Sequence, residues 1–167
     1  MADDKEPKAG KEKEEEKGNE TGSFPRSADY VLHILIQKTK EIKTGPSGKC
    51  DPMFQIETFG KKQFSSTKDD VDQLGETTWD EHIFIEQTNV KARDAESNKV
   101  TIKLMDKGLF KDAMIGMFDL DLSSIYLKEN HSIENTWLAL NNPGSENYSE
   151  ICGYAKVSIS ANATGDE

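Results

Sequence analysis

Residues 30–37 form a mostly apolar stretch, Tyr30-Val-Leu-His-Ile-Leu-Ile-Gln37. Its residues Leu32, Ile34 and Ile36 share one face if the chain is extended, because successive side chains of a strand point to opposite sides. The stretch therefore predicts a β-strand with one buried face. Similar short runs continue along the chain, and they predict seven further strands at residues 53–59, 62–67, 81–86, 99–105, 115–122, 135–140 and 153–159.

Eight short strands at fairly even spacing, without a long amphipathic helix, are typical of a two-sheet sandwich. We therefore predict an all-β fold, an eight-stranded antiparallel β-sandwich. Residues 68–78 and 89–98 are polar or charged and are predicted to be loops, whereas residues 123–131 are predicted to hold one helical turn. Binding sites in such folds lie on the loops at the two ends.

The first 22 residues have a different composition, with five lysines, eight acids and few apolar side chains. Such a segment buries too little apolar surface to offset the entropy of ordering. We predict a disordered charged tail at residues 1–23, a sandwich at 24–161 and a short C-terminal tail at 162–167. The alternative for the N-terminal segment is an arm that orders on a partner. It has no apolar core of the kind that a signal peptide requires.

The charge balance limits the classes of partner. The chain has 31 acids against 21 lysines and arginines, for a formal net charge of -10. Nucleic-acid binding is not expected, since it depends on clustered lysine and arginine. Membrane association driven by charge alone is not expected either.

The sequence contains no recognisable catalytic constellation. The two cysteines, Cys50 and Cys152, are not in a metal-type Cys-x-x-Cys pair, and no P-loop or Gly-x-Ser-x-Gly motif is present. We predict that the protein is not an enzyme and holds no cofactor. Both thiols are expected to be unpaired, as is usual in a reducing cytoplasm.

Four motifs occur along the chain in the same order as in a known family. Cys50-Asp51-Pro52 precedes a strand, Thr78-Trp79-Asp80-Glu81 precedes an Ile-Phe pair, and residues 100–106 are followed by Ile115-Gly116. The fourth motif is the C-terminal block at residues 125–157. Together they resemble a C2 domain over residues 28–160, and the last block is most similar to the ferlin type. The resemblance implies a C2-type β-sandwich.

The resemblance also implies where calcium ligands are expected. Ca²⁺ takes six to eight oxygen ligands, and a full site in this family draws about five aspartates from two loops. Asp51 and Asp106 match two of those positions and Asp112 lies near a third, whereas Gly45 and Gly108 stand where further aspartates are expected. The set is incomplete. We predict a calcium-independent domain, with weak Ca²⁺ binding as the alternative.

Phospholipid binding is the activity that the resemblance implies. Leu109 and Phe110 are expected at the tip of the third loop, where they either insert into a membrane or, for Phe110, pack on the end of the sandwich. Lys61, Lys62 and Lys68 are predicted to form a modest basic cluster. Lysines near an anionic surface contribute about 1 kcal/mol each.

Two functions therefore remain open. The first is a protein-interaction or structural module in a larger cytoplasmic assembly, cytoskeletal or ciliary, with protein partners. The second is a peripheral membrane module that binds anionic phospholipid with little or no calcium dependence. The incomplete ligand set and the acidic composition slightly favour the first.

Overall fold

The strand predicted at residues 30–37 is present and pairs with a neighbour on each side in the main sheet. The structure, a computed structural model, describes residues 23–108 and 112–165. The strands in these residues are β1 (Ser27–Lys40), β2 (Lys49–Cys50), β3 (Pro52–Thr58), β4 (Lys61–Phe64), β5 (Val71–Asp72), β6 (Glu76–Lys91), β7 (Lys99–Asp106), β8 (Ala113–Asp121), β9 (Ser132–Asn141) and β10 (Ile151–Ala163). Two helices, α1 (Ala92–Ser97) and α2 (Leu122–Tyr126), and a 3₁₀ turn at Glu129–His131 complete the elements of the described part.

Eight strands form one antiparallel sheet in the order β4-β3-β7-β8-β9-β10-β1-β6, and β2 pairs with β5 separately. Strands β8 and β9 pair at a single position, Met117 opposite Asn141. The sheet bends there into two four-stranded layers, which we call the first layer (β4-β3-β7-β8) and the second layer (β9-β10-β1-β6). At the open edge, the Lys61 Nζ atom on β4 donates a hydrogen bond to the Glu86 carbonyl oxygen on β6 at 2.5 Å. The structure confirms the predicted sandwich.

The core lies between the two layers. Strand β1 alternates buried and outward-facing residues from Ser27 to Ile36, as the sequence predicts, and the alternation resumes at Lys38 after a register shift at Gln37. Burial of these apolar side chains contributes about 25 cal/mol for each Å² removed from water. The largest fully buried side chains include Leu32, Ile34 and Ile36 from β1, Phe54 and Ile56 from β3, Ile85 from β6, and Ile102 and Leu104 from β7.

Two connections differ from the loops predicted by sequence. Strand β6 begins at Glu76 and ends at Lys91, well beyond the predicted 81–86. The sequence pattern misses its two ends because most positions there face solvent and carry polar residues. Helix α1 occupies residues predicted to be loop, and Ala95 is its buried contact with the core. The helical turn predicted at 123–131 is confirmed by α2. Among the described residues, no helix has the length and apolarity needed to cross a bilayer.

Strand β10 ends at Ala163, two residues past the predicted domain boundary at 161. The N-terminal segment at residues 1–22 lies outside the described residues, so the tail stays a prediction.

Candidate functional site

Three of the loops at one end of the sandwich form what we call the loop end (residues 41–51, 65–75, 107–108 and 112). Asp51 precedes β3 and Asp106 ends β7, and the two strands pair from Pro52 and Asp106 onward. An Asp106 carboxylate oxygen accepts a hydrogen bond from the Asp51 backbone N–H at 3.0 Å. An Asp51 carboxylate oxygen in turn accepts one from the Asp70 backbone N–H at 2.9 Å. These two carboxylates therefore connect the three loops.

The described residues of the loop end do not gather the three predicted calcium ligands into one cluster. Asp51 and Asp106 each already accept a backbone hydrogen bond, and Asp112 is exposed, with no hydrogen bond or ion pair to the other described residues. Within residues 23–108 and 112–165, no group of three or more His, Cys, Asp or Glu residues is arranged to hold a metal ion. Ca²⁺ requires six to eight oxygen ligands.

Cys50 lies beneath these carboxylates. The thiol is buried, and burial, followed by the nearby charges of Asp106 and Asp51, raises its pKa to about 11. Cys152 is also buried, and both cysteines are free, as the sequence predicts.

We expect the Cys50 thiol to be unreactive in the folded protein. Since the thiolate is the nucleophile, a pKa of about 11 leaves roughly one thiol in 10⁴ ionised at neutral pH. Titration with a colourless thiol reagent that releases a dye should show no fast phase until denaturant is added. The exposed variant Leu74→Cys should add one fast equivalent, and a fast equivalent in the unmodified protein would contradict the burial.

Leu74 is the most exposed large apolar side chain among the described residues, at 89% of its full accessible area. It sits in a tight turn in which the Gly75 N–H donates to the Asp72 carbonyl at 3.0 Å. The neighbouring Gln73 N–H donates to the Gly48 carbonyl at 3.1 Å, which ties this turn to the first loop. Leu74 therefore projects from the loop end on a fixed backbone. The indication of this exposed residue in the sequence is a single leucine in the polar segment 68–78.

Three of the five contact residues predicted from the sequence, the three lysines, lie in the described part of the chain. Leu109 and Phe110 lie outside the described residues, and their role stays a prediction. The three lysines have separate partners. Lys61 bonds the Glu86 carbonyl, Lys62 lies 3.7 Å from the Glu57 carboxylate, and the Lys68 Nζ atom lies 5.5 Å from the Trp79 ring centre. Because Lys61 and Lys62 are consecutive in a strand, their side chains leave on opposite faces.

The class of protein follows from this fold and from comparison with known proteins. A family model for the C2 domain matches residues 30–140, which is well over half of the chain. Among solved structures, the calcium-bound C2A and C2B domains of extended-synaptotagmin 2 superpose with a TM-score of 0.62 at 16% identity, covering 82% of this chain and 44% of that one. The chain belongs to the C2 domain family.

Within this family the chain is ferlin-like. It is 26% identical over 140 residues to myoferlin of Xenopus tropicalis, an alignment that covers 83% of this chain and 7% of that protein. It is 24% identical over 151 residues to Ferlin 2 of Tetrahymena thermophila, covering 89% of this chain and 8% of that protein. The chain thus spans less than a tenth of the length of these curated relatives.

Proposed function

We propose that this protein is a non-enzymatic, phospholipid-binding C2 module that docks on membranes with its loop end and does not require calcium. The observation that carries the proposal is the exposure of Leu74 at the tip of that end. An apolar side chain on an ordered backbone inserts with little further loss of conformational entropy. This reverses the slight preference for a structural module that the sequence alone supports.

Calcium independence is supported by the way the loops are held. In a calcium-dependent site, clustered carboxylates repel one another until a cation binds. Here Asp51 and Asp106 accept backbone N–H groups instead, so the loops are ordered by the chain itself. We propose a peripheral location on the cytoplasmic side of a membrane, where two unpaired thiols are the usual state of cysteine.

A label at the loop end tests the proposal directly. Gln73→Cys, an exposed position beside Leu74, carries a polarity-sensitive dye, and Cys50 and Cys152 are buried and remain unlabelled. We expect the emission to shift to the blue when phosphatidylcholine vesicles containing phosphatidylserine are added in the presence of a calcium chelator. The matched control is Glu96→Cys, an exposed position on α1 at the opposite end. A shift at the control and none at the loop end would contradict the proposal.

Protein interaction is the second candidate, favoured by a separate apolar surface on the outer face of the second layer. Phe84 is 56% exposed and stacks on the His33 ring with centroids 4.4 Å apart, beside exposed Val31. Burial, followed by the charge of His82, lowers the pKa of His33, which favours the neutral form of this ring. A cytoskeletal or ciliary partner stays a prediction. Affinity capture with Phe84→Ser should lose a partner that the unmodified protein retains, and an identical set would argue against this candidate.

A further inference from the structure

A second surface, distinct from the loop end, gathers basic and aromatic residues on the outer face of the second layer. Because strand residues alternate in direction, Lys38 and Lys40 of β1, Tyr154 and Lys156 of β10 and Trp137 of β9 all face outward. Cross-strand pairing makes them neighbours, with Lys40 opposite Tyr154, Lys38 opposite Lys156 and Lys156 opposite Trp137. We call these five residues the flank patch.

The aromatic rings hold the lysines in place. The Lys40 Nζ atom lies 4.4 Å from the Trp137 ring centre and 5.4 Å from that of Tyr154, and the Lys156 Nζ atom lies 6.0 Å from that of Trp137. These distances are within or near cation–π range. Lys38 pairs with Glu76 at 3.2 Å. In the described part of the chain, no carboxylate lies within ion-pair distance of Lys40 or Lys156.

We propose that the flank patch is a contact surface for the headgroups of anionic phospholipids. The flank patch places two lysines without acidic partners beside two aromatic rings, on a chain with a net charge of -10. Lysine is attracted to an anionic bilayer surface, and tryptophan and tyrosine favour the headgroup region because their rings are amphipathic. Trp137 is 36% exposed, so part of its ring is free to enter that region. Three adjacent strands present the five side chains as an extended face, which suits a planar array of headgroups.

The flank patch adjoins the loop end, and the inference rests on the membrane binding proposed above. Lys40 is the last residue of β1, and Glu76, the first residue of β6, lies opposite it. Leu74 precedes Glu76 by two positions. The inserting leucine and the patch therefore lie near the same end of the domain, so a domain tilted onto its second layer would place Leu74 in the bilayer and the lysines at its surface.

Neutralising the two unpaired lysines tests the patch. We expect Lys40→Gln/Lys156→Gln to bind vesicles of phosphatidylcholine and phosphatidylserine about 30-fold more weakly than the unmodified protein, from the contribution of two lysines. The matched control, Lys91→Gln/Lys99→Gln, makes the same charge change at the opposite end of the sandwich and should bind almost as tightly as the unmodified protein. On vesicles of phosphatidylcholine alone, the two double variants should be indistinguishable.

Tryptophan fluorescence provides an independent measurement. Trp79 is buried, so a blue shift in emission on adding vesicles is expected to come from Trp137, and Trp137→Phe should abolish the shift. If the unmodified protein binds vesicles and Lys40→Gln/Lys156→Gln binds them as tightly as Lys91→Gln/Lys99→Gln does, the flank patch is overturned and the proposed function stands. If the unmodified protein does not bind vesicles at all, both are overturned.

Discussion

Replacing Trp79 with alanine is expected to lower the free energy of unfolding by about 3–5 kcal/mol, the usual cost of truncating a large core aromatic residue. Trp79 is buried, and its ring meets Phe54 of the opposite layer edge-on with centroids 4.9 Å apart. Its indole N–H donates to the buried Thr39 hydroxyl at 3.0 Å. The substitution therefore removes both a contact between the layers and a buried hydrogen bond. Urea denaturation followed by circular dichroism measures the loss.

A smaller change separates the two contributions. Thr39→Val leaves the Trp79 N–H buried without an acceptor and should cost about 1–3 kcal/mol. Phe64→Ser, at an exposed aromatic position on β4, is the control and should change the free energy of unfolding by less than about 0.5 kcal/mol. A cost below about 1 kcal/mol for Trp79→Ala would show that this ring does not hold the layers together.

Replacing Leu74 with serine is expected to weaken vesicle binding by roughly tenfold to a hundredfold. Full burial of a leucine side chain is worth about 1.5–3 kcal/mol, and each 1.4 kcal/mol changes an affinity tenfold. Leu74 is almost fully exposed and makes little contact with the core, so its replacement should leave the free energy of unfolding nearly unchanged. Equilibrium binding to vesicles at fixed salt, measured in a calcium chelator, gives the affinity.

The matched control for this substitution is Leu127→Ser. Leu127 is also exposed but follows α2 at the opposite end of the sandwich, so its replacement should leave vesicle affinity unchanged. Equal losses for the two variants would indicate a general effect of surface hydrophobicity. In that case the loop end would have no special role in docking.

The sequence predicts the strands whose buried faces are marked by alternating apolar residues, such as β1, and the eight strands of the main sheet match the eight predicted. Alternation fails at the start of β6 because Trp79 is the one buried side chain between Glu76 and Glu81. Helix α1 also carries no local signal, since a single alanine anchors it. In both cases tertiary contacts, absent from a local pattern, decide the structure.

The candidate site was only partly predictable for a related reason. The family motifs direct attention to Asp51 and Asp106 as metal ligands, but only coordinates show that their oxygens accept backbone N–H groups. The flank patch was not predictable because Lys40, Trp137 and Lys156 are far apart in the sequence. Their proximity depends on the register of three strands, which a pattern of single strands does not specify.

We propose that this C2 domain binds phospholipid without calcium. Co-sedimentation of the full chain with vesicles of phosphatidylcholine and phosphatidylserine at physiological salt tests it most directly, with one sample in chelator and one in excess Ca²⁺. We expect the protein in the vesicle pellet in both samples, in equal fractions. Protein that remains in the supernatant in chelator, whether or not Ca²⁺ brings it into the pellet, would contradict the claim.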